Sequence, residues 1–151
     1  IGQYAHGNEP SHHVIHLYNY VNRPWRTQEL VDSVYRSQYA NSVDGLSGNE
    51  DCGQMSAWYI LNSMGFYQVC PGKPVYSIGR PAFDKAVINL PGGKTFSIIA
   101  KNNSKKNKYI ESISLNGKSL ETPFFNHQDI VNGGRMEIRM TDKPNYKTHI
   151  P

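Results

Sequence analysis

The sequence predicts an α+β fold in which helices come first and antiparallel strands follow. Over about the first 65 residues, apolar side chains recur at helical spacing between capping and stop signals. From about Phe66 onward, Pro-Gly, Gly-Gly and Asn-Gly pairs separate short runs in which apolar and polar residues alternate. Because helices and strands are segregated along the chain, we expect an α+β arrangement with a helical part at residues 1–65 and a strand-rich part at residues 66–151.

The first predicted helix begins at Pro10, because proline suits the first helical position, and Asn8 or Glu9 is its expected cap. Pro24 is expected to end this helix, since proline cannot continue the hydrogen-bond ladder. Four apolar residues between these points share helical spacing and are expected to form the buried stripe: Val14, Leu17, Tyr18 and Val21.

Two further helices are predicted before the strands begin. Thr27 is the expected cap of the second helix. The third helix is expected to begin near Asp51 and to end at Gly65, a residue type that often directly follows a helix. Both helices are amphipathic, so each needs a surface that covers its apolar side.

The strand-rich part is predicted to be an antiparallel, sandwich-like sheet segment. Asn116 and Gly117 form a strong signal for a two-residue hairpin turn. Four predicted strands have the alternating pattern of a half-buried strand: Lys85 to Leu90, Thr95 to Ala100, Ile110 to Leu115 and Arg135 to Met140.

Composition and charge argue against several classes of partner. The chain has 151 residues and a formal charge of +4. Its basic run, Lys101 to Lys108, lacks an aromatic stacking platform or a basic helix, so we expect a solvated loop or hairpin tip and no nucleic-acid partner. No run approaches the roughly 18 apolar residues of a membrane span. Because the chain begins at Ile1 without a visible signal peptide, we expect a processed protein or a part of a longer one.

The two cysteines, Cys52 and Cys70, are expected to be buried free thiols. Cys52 is predicted to lie in the first turn of the third helix, and Cys70 several residues beyond its end. The helix between them would hold their Cα atoms farther apart than the roughly 7 Å that a disulfide allows.

An acidic cluster precedes the third helix and has two interpretations. Asn49, Glu50 and Asp51 lie between Gly48 and Gly53, where the helix is expected to begin. Acidic residues at this position cap helices and stabilise the helix dipole. However, one cap needs only one side chain, and a carboxylate on a helix start is rigidly aimed, as a catalytic base must be. Trp58 and Tyr59, later in the helix, suit either core packing or stacking on a sugar ring.

A second polar cluster, His6 to His13, lies about 40 residues earlier. Glu9 has helical spacing to both His12 and His13, but the pattern is not the His-Glu-x-x-His of zinc enzymes, and two ligands are too few for a closed zinc site. Asn8 and Glu9 carry hard oxygen atoms, which suit calcium better. The alternative is a capped helix start with exposed histidines.

Together, the two clusters resemble a known enzyme family. The segment from Tyr4 to His13 (Tyr-Ala-His-Gly-Asn-Glu-Pro-Ser-His-His) and the segment from Asp44 to Tyr59 (Asp-Gly-Leu-Ser-Gly-Asn-Glu-Asp-Cys-Gly-Gln-Met-Ser-Ala-Trp-Tyr) are similar to glycoside hydrolase family 92. These enzymes are exo-acting α-mannosidases, most often α-1,2-mannosidases. The resemblance implies that the chain is the C-terminal part of a longer protein. Its helices would then belong to an α/α toroid of six helical hairpins.

The resemblance also implies a calcium-dependent, inverting hydrolysis of mannose-containing glycans outside the cytoplasm. Asp51 would be the general base, and Asn49, at a position that is often acidic in the family, would assist it. Asn8 and Glu9 would bind Ca²⁺. The residues expected near the bound mannose are His6, Gly7, His12 and His13.

The resemblance further implies that the general acid lies upstream of Ile1, so we expect this chain to be inactive alone. General-acid catalysis typically contributes about 10²–10⁴ in rate. Helix faces that the missing hairpins would cover are expected to be exposed and to favour self-association. Two alternatives remain: a non-catalytic carbohydrate-binding or structural β module, and a zinc or other metal hydrolase built on the histidines.

Overall fold

Helical elements precede the strands in the computed structural model, which describes residues 3–146, and this order confirms the predicted α+β class. The ends of the two predicted parts, residues 1–2 and 147–151, lie outside the described residues. Whether the helices belong to a toroid stays a prediction. The helical elements before the strands are two 3₁₀ helices, Glu9–Ser11 and Val14–Val21, and two α-helices, α1 (Pro24–Gln38) and α2 (Gln54–Met64).

The first predicted helix is two 3₁₀ segments, and its buried face differs from the prediction. Asn8 occupies the cap position, but its side chain makes no capping hydrogen bond. Three of the four residues of the expected stripe are exposed, and the fourth, Tyr18, is half-buried. The buried residues of Val14–Val21 are Ile15, His16 and Asn19. Polar side chains can be buried here because residues far along the chain satisfy their hydrogen bonds.

Helix α1 begins at Pro24 rather than after Thr27. Proline occupies the first turn, where its missing N–H costs nothing. Thr27 is fully buried inside the helix, and its hydroxyl donates to the carbonyl oxygen of Ile15 (2.9 Å). The predicted cap is therefore wrong, because this hydroxyl joins α1 to the preceding 3₁₀ helix.

Helix α2 ends as predicted and begins three residues later than predicted. Gly65 follows the helix with φ 105°, and its N–H donates to the carbonyl oxygen of Asn62. The helix cannot begin at Asp51, because Asp51, Cys52 and Gly53 all have positive φ. Cys52 therefore precedes the helix. Within the described residues Cys52 and Cys70 are free, and both are exposed rather than buried, since each lies in a surface turn beside an element end.

Strands and one short helix form the rest of the described chain. They are β1 (Phe66–Gln68), β2 (Val75–Ile78), β3 (Lys85–Asn89), β4 (Thr95–Lys101), β5 (Tyr109–Leu115), β6 (Lys118–Ser119), β7 (Phe124–Asn126), α3 (His127–Val131) and β8 (Gly134–Thr141). Each of the four predicted strands is present, with ends that differ by at most one residue. The predicted hairpin at Asn116 and Gly117 joins β5 to β6.

The strands form two sheets, with orders β1-β2-β7 and β3-β4-β8-β5-β6. All pairs are antiparallel except β4 and β8, which run parallel, because β8 enters between β4 and β5 after α3. The segment from Lys101 to Lys108 is therefore not a hairpin tip. It is a largely exposed loop between two strands that pair with opposite sides of β8.

Two apolar clusters hold these elements together. The larger one contains residues of both sheets and of α3, including the buried Phe66, Phe125 and Ile138. The smaller one joins the helices, and Trp58 of α2 is fully buried at its centre. Trp58 is therefore a core residue, so sugar stacking is excluded for this side chain in the structure, whereas Tyr59 is half-buried. No helix within residues 3–146 is both long and apolar enough to cross a membrane.

Candidate active site

The two polar clusters predicted from the sequence meet through two glycines. A Cβ atom placed on Gly7 would lie 2.0 Å from the carbonyl oxygen of Ser47. One placed on Gly48, which has φ +145°, would lie 3.0 Å from the Cα atom of Gly7. The two loops are thus in direct backbone contact, at a distance that only glycine permits.

This contact brings Glu9 and Asp51 together, one from each cluster. Hydrogen bonding with the Glu9 carboxyl, together with the like charge of that group, raises the pKa of Asp51 above its ordinary value. The Oε1 atom of Glu9 is buried and has no hydrogen-bond partner among the described residues. A buried carboxylate oxygen without a partner, beside a second carboxyl, is a favourable environment for a cation.

The Asp51 side chain is presented to solvent by an unusual backbone. Asp51 (φ 45°), Cys52 (φ 60°) and Gly53 (φ 93°) occupy the left-handed region in succession. A non-glycine residue pays about 1–2 kcal/mol for this conformation, so two in a row are stable only where the surroundings hold them. Such strain is concentrated at functional sites in proteins.

Glu50, rather than Asp51, caps α2. Its two carboxylate oxygens accept hydrogen bonds from the N–H and the hydroxyl of Ser56, both at 2.9 Å. The capping interpretation of the acidic cluster therefore holds for Glu50 and leaves the Asp51 carboxylate free of that role. Asn49, directly before Glu50, is exposed.

His6, in the first motif, is buried, with 2% of its surface exposed. The Tyr39 hydroxyl donates to the carbonyl oxygen of Met55 (2.9 Å), so it accepts from Nε2 of His6 (2.7 Å). The Tyr4 hydroxyl then donates to Nδ1 of His6 (2.8 Å). Burial lowers the pKa of His6 to about 4, so this ring is neutral at pH 7 and has both nitrogens occupied.

His12 is held in the same way. Its Nε2 donates to the carbonyl oxygen of His6 (2.8 Å), and its Nδ1 accepts from the side-chain amide of Gln54 (3.1 Å). Its ring stacks on that of His6 with centroids 4.7 Å apart. Trp58 donates to the carbonyl oxygen of His12 (3.2 Å). Burial lowers the pKa of His12 as well. Both histidines are therefore buried, hydrogen-bonded rings that stabilise the loop on which Glu9 lies.

The remaining predicted residues lie nearer the surface. Asn8 is exposed beside Glu9, Gly7 is half-buried against Ser47, and His13 is half-buried. Within residues 3–146, no three His, Cys, Asp or Glu side chains converge on a point that could hold a metal. Because the ring nitrogens of His6 and His12 are already paired, the geometry does not favour the zinc alternative.

Some contributors to this region could not be predicted from the sequence. Tyr39 lies outside both clusters in the sequence, and its role follows only from the fold. Ser47 contributes a buried hydroxyl without a partner among the described residues. A groove of about 510 Å³ runs beside Tyr39, Ser56 and Tyr59, and none of the predicted site residues lines it.

Comparisons with known proteins cover both motif segments. Residues 1–142 match the family model of the glycosyl hydrolase family 92 catalytic domain. A secreted glycosidase of uncharacterised function from Arthroderma benhamiae is 33% identical over 137 residues, which cover 89% of this chain and 18% of that protein.

Two solved structures from Bacteroides thetaiotaomicron are similar to the whole fold. The family GH92 α-mannosidase BT3965 has a TM-score of 0.94 and 42% identity, covering 100% of this chain and 20% of its own. The inverting mannosidase BT2199 has a TM-score of 0.89 and 43% identity, covering 96% of this chain and 20% of its own. The chain therefore spans about a fifth of the length of the proteins it matches.

Proposed function

Because the chain belongs to glycosyl hydrolase family 92, we propose that it supplies the general-base side of the catalytic site of an exo-acting, inverting α-mannosidase. The observation that carries the proposal is the contact between the two motif loops, which places Glu9 and Asp51 together. Supporting evidence comes from the similar proteins: BT2199 is an inverting mannosidase, and BT3965 has been solved with mannoimidazole.

In this proposal, the Asp51 carboxylate accepts a proton from the water that attacks the anomeric carbon. Its exposed position on a held backbone suits that role. The exposed amide of Asn49 can orient the water but cannot accept its proton. The partner acid protonates the leaving oxygen from the other face, roughly 6.5–9.5 Å away, and belongs to a part of the protein outside this chain.

We further propose that Asn8 and Glu9 bind Ca²⁺. The residues fit this ion, because an exposed amide oxygen and a carboxylate with a buried, unpartnered oxygen are hard ligands. When bound, Ca²⁺ would supply positive charge that attracts the hydroxyl oxygens of the sugar. In this proposal, Gly7 and His13 would contact the sugar, while His6 and His12 hold the loop that carries the ligands.

The whole protein's activity depends on more than this chain. We propose that it hydrolyses α-linked, mainly α-1,2-linked, mannosides outside the cytoplasm, in line with the secreted glycosidase that the chain resembles. Alone, the chain would release no mannose at enzymatic rates. It would instead self-associate through its exposed apolar stripe, in which Val14, Leu17 and Val21 have exposed fractions of 39%, 41% and 62%.

Calcium titration calorimetry on this chain, with and without mannose, tests the proposal. We expect calcium binding that mannose strengthens and that an Asn8→Ala/Glu9→Ala double variant abolishes. An Asn89→Ala/Glu121→Ala variant is the matched control, because it removes an amide and a carboxylate of exposed residues outside both motif segments. Calcium binding that survives in the Asn8/Glu9 variant would contradict the assignment. Calcium-independent sugar binding that maps to the strands would favour a non-catalytic carbohydrate-binding module.

A further inference from the structure

The loop that carries Asp51 is closed by a two-point contact between Glu50 and Ser56. One carboxylate oxygen of Glu50 accepts from the Ser56 N–H and the other from its hydroxyl, both at 2.9 Å. Ser56 is the third residue of α2, and the cap residue of that helix, Gly53, has no side chain. Glu50 therefore satisfies a helix-start amide that the cap residue cannot satisfy.

The backbone of Glu50 closes the same loop from the other side. Its carbonyl oxygen accepts from the N–H groups of Gly53 (3.2 Å) and Met55 (3.4 Å). Between these contacts lie the consecutive positive-φ residues Asp51, Cys52 and Gly53. Left-handed backbone at two non-glycine residues is unfavourable by itself, so the contacts that close the loop must hold it.

We propose that Glu50 is a positioning residue for Asp51. Its two hydrogen bonds with Ser56 hold the left-handed turn and so orient the Asp51 carboxylate toward Glu9 of the other motif. This role rests on the proposed function insofar as Asp51 is the base, but the geometric effect is independent of catalysis. Of the adjacent acids, Glu50 is held by α2, and Asp51 is left available to a ligand.

Cys52 gives a direct measure of this turn, because its thiol is exposed in the middle of it. The experiment uses a Cys70→Ser background, so that Cys52 is the one remaining cysteine, and measures the rate of alkylation by iodoacetamide. Glu50→Ala is expected to change this rate several-fold. Glu50→Gln, whose amide can still accept from the N–H and donate to the hydroxyl, is expected to restore the wild-type rate.

Calcium affinity is measured on the same variants. We expect Glu50→Ala to weaken it by about tenfold or more while the chain still unfolds cooperatively, since about 1 Å of misplacement has effects of this order in sites of this kind. Glu50→Gln is expected to bind as the wild type does. If Glu50 only capped α2, Glu50→Ala would lower stability without changing the Cys52 alkylation rate or the calcium affinity. Glu50→Gln would then have nothing to restore in these two measurements.

The outcomes separate the two proposals. If Glu50→Ala has the wild-type alkylation rate and calcium affinity, the positioning role is wrong. If the wild type binds no calcium but Glu50→Ala still alters the Cys52 rate, the calcium proposal fails and the positioning role stands. Should Glu50→Ala not fold, Ser56→Ala, which deletes one of the two contacts, replaces it, and an unchanged alkylation rate would then overturn the inference.

Discussion

Gly7→Ala is the most direct test of the contact between the two motif loops. The added Cβ would lie 2.0 Å from the carbonyl oxygen of Ser47, and real Cβ contacts under 3.0 Å are essentially never seen. The neighbour is backbone, so no side chain can rotate away. The loops must therefore separate by about 1 Å or more, which carries Glu9 away from Asp51.

The expected cost has a structural and a functional part. Overpacking of this kind destabilises proteins by about 1–3 kcal/mol. A displacement of about 1 Å between groups that act together can lower activity or binding by about 10²-fold. We therefore expect Gly7→Ala to lower the free energy of unfolding in urea and to remove most of the calcium binding.

Gly72→Ala is the matched control. Gly72 has φ +86° and nothing within 4 Å of an added Cβ, so its substitution costs about 1–2 kcal/mol through backbone strain alone. It should lower stability by a comparable amount and leave calcium binding unchanged. If Gly7→Ala bound calcium as tightly as Gly72→Ala, the close approach of the loops would not matter for the site, and the reasoning would be refuted.

Three further predictions concern charges in the fold. Asp51→Asn removes a like charge beside Glu9, so it should raise the urea midpoint of the calcium-free chain at pH 7 and weaken calcium binding in calorimetry. Burial lowers the folded pKa of His16 to about 4 from an ordinary 6.5. Between these two pKa values the unfolded chain binds more protons than the folded chain. Urea titrations should therefore show that His16 lowers the free energy of unfolding by about 2 kcal/mol when the pH falls from 7 to 5. Asp32→Ala leaves the buried guanidinium of Arg80 without its carboxylate partner, and should cost about 3–5 kcal/mol in the same assay.

Control variants make these expectations specific. The free energy of unfolding of His16→Gln should fall less between pH 7 and pH 5 than that of the wild type. An equal fall would assign the effect to other groups. Glu111→Ala removes an exposed ion pair with Arg139 (3.7 Å) and should cost under about 1 kcal/mol. A similar cost for Asp32→Ala would mean that the Asp32 pair is solvated in solution.

Local signals predicted the elements whose patterns are complete within a short window. Gly65 ends α2 because a glycine adopts the positive φ that closes a helix, and Asn116-Gly117 forms its turn for the same reason. Strands β1, β2 and β7 were missed, since three or four residues are too short for an alternating pattern and their pairing joins distant segments. The helix stripe was wrong because the burial of His16 depends on Asn62 and Ser77, which lie far along the chain.

For the site, the two clusters could be predicted from the sequence, but the separate roles of their acidic residues could not. Glu50 and Asp51 are both acidic and adjacent, so no local signal shows which one the helix holds. In the structure, Glu50 accepts hydrogen bonds from the start of α2, whereas Asp51 lies in left-handed backbone before the helix. The family resemblance implied that His6 and His12 lie near the sugar, which stays a prediction. That both rings are held in buried hydrogen-bond networks could not be predicted, because their partners lie elsewhere along the chain.

These networks also bear on what an isolated chain can do. Three kinds of contact that hold the site are made within the chain: the backbone contact of Gly7, the hydrogen bonds of His6 and His12, and those between Glu50 and Ser56. A half-site held in this way is preorganised before any ligand arrives, so calcium binding would not have to provide the free energy that orders the loops. Under the proposed function, a general acid outside this chain would be needed for catalysis but not for the assembly of Glu9 and Asp51. Binding to the isolated chain is therefore a valid test of the proposed site.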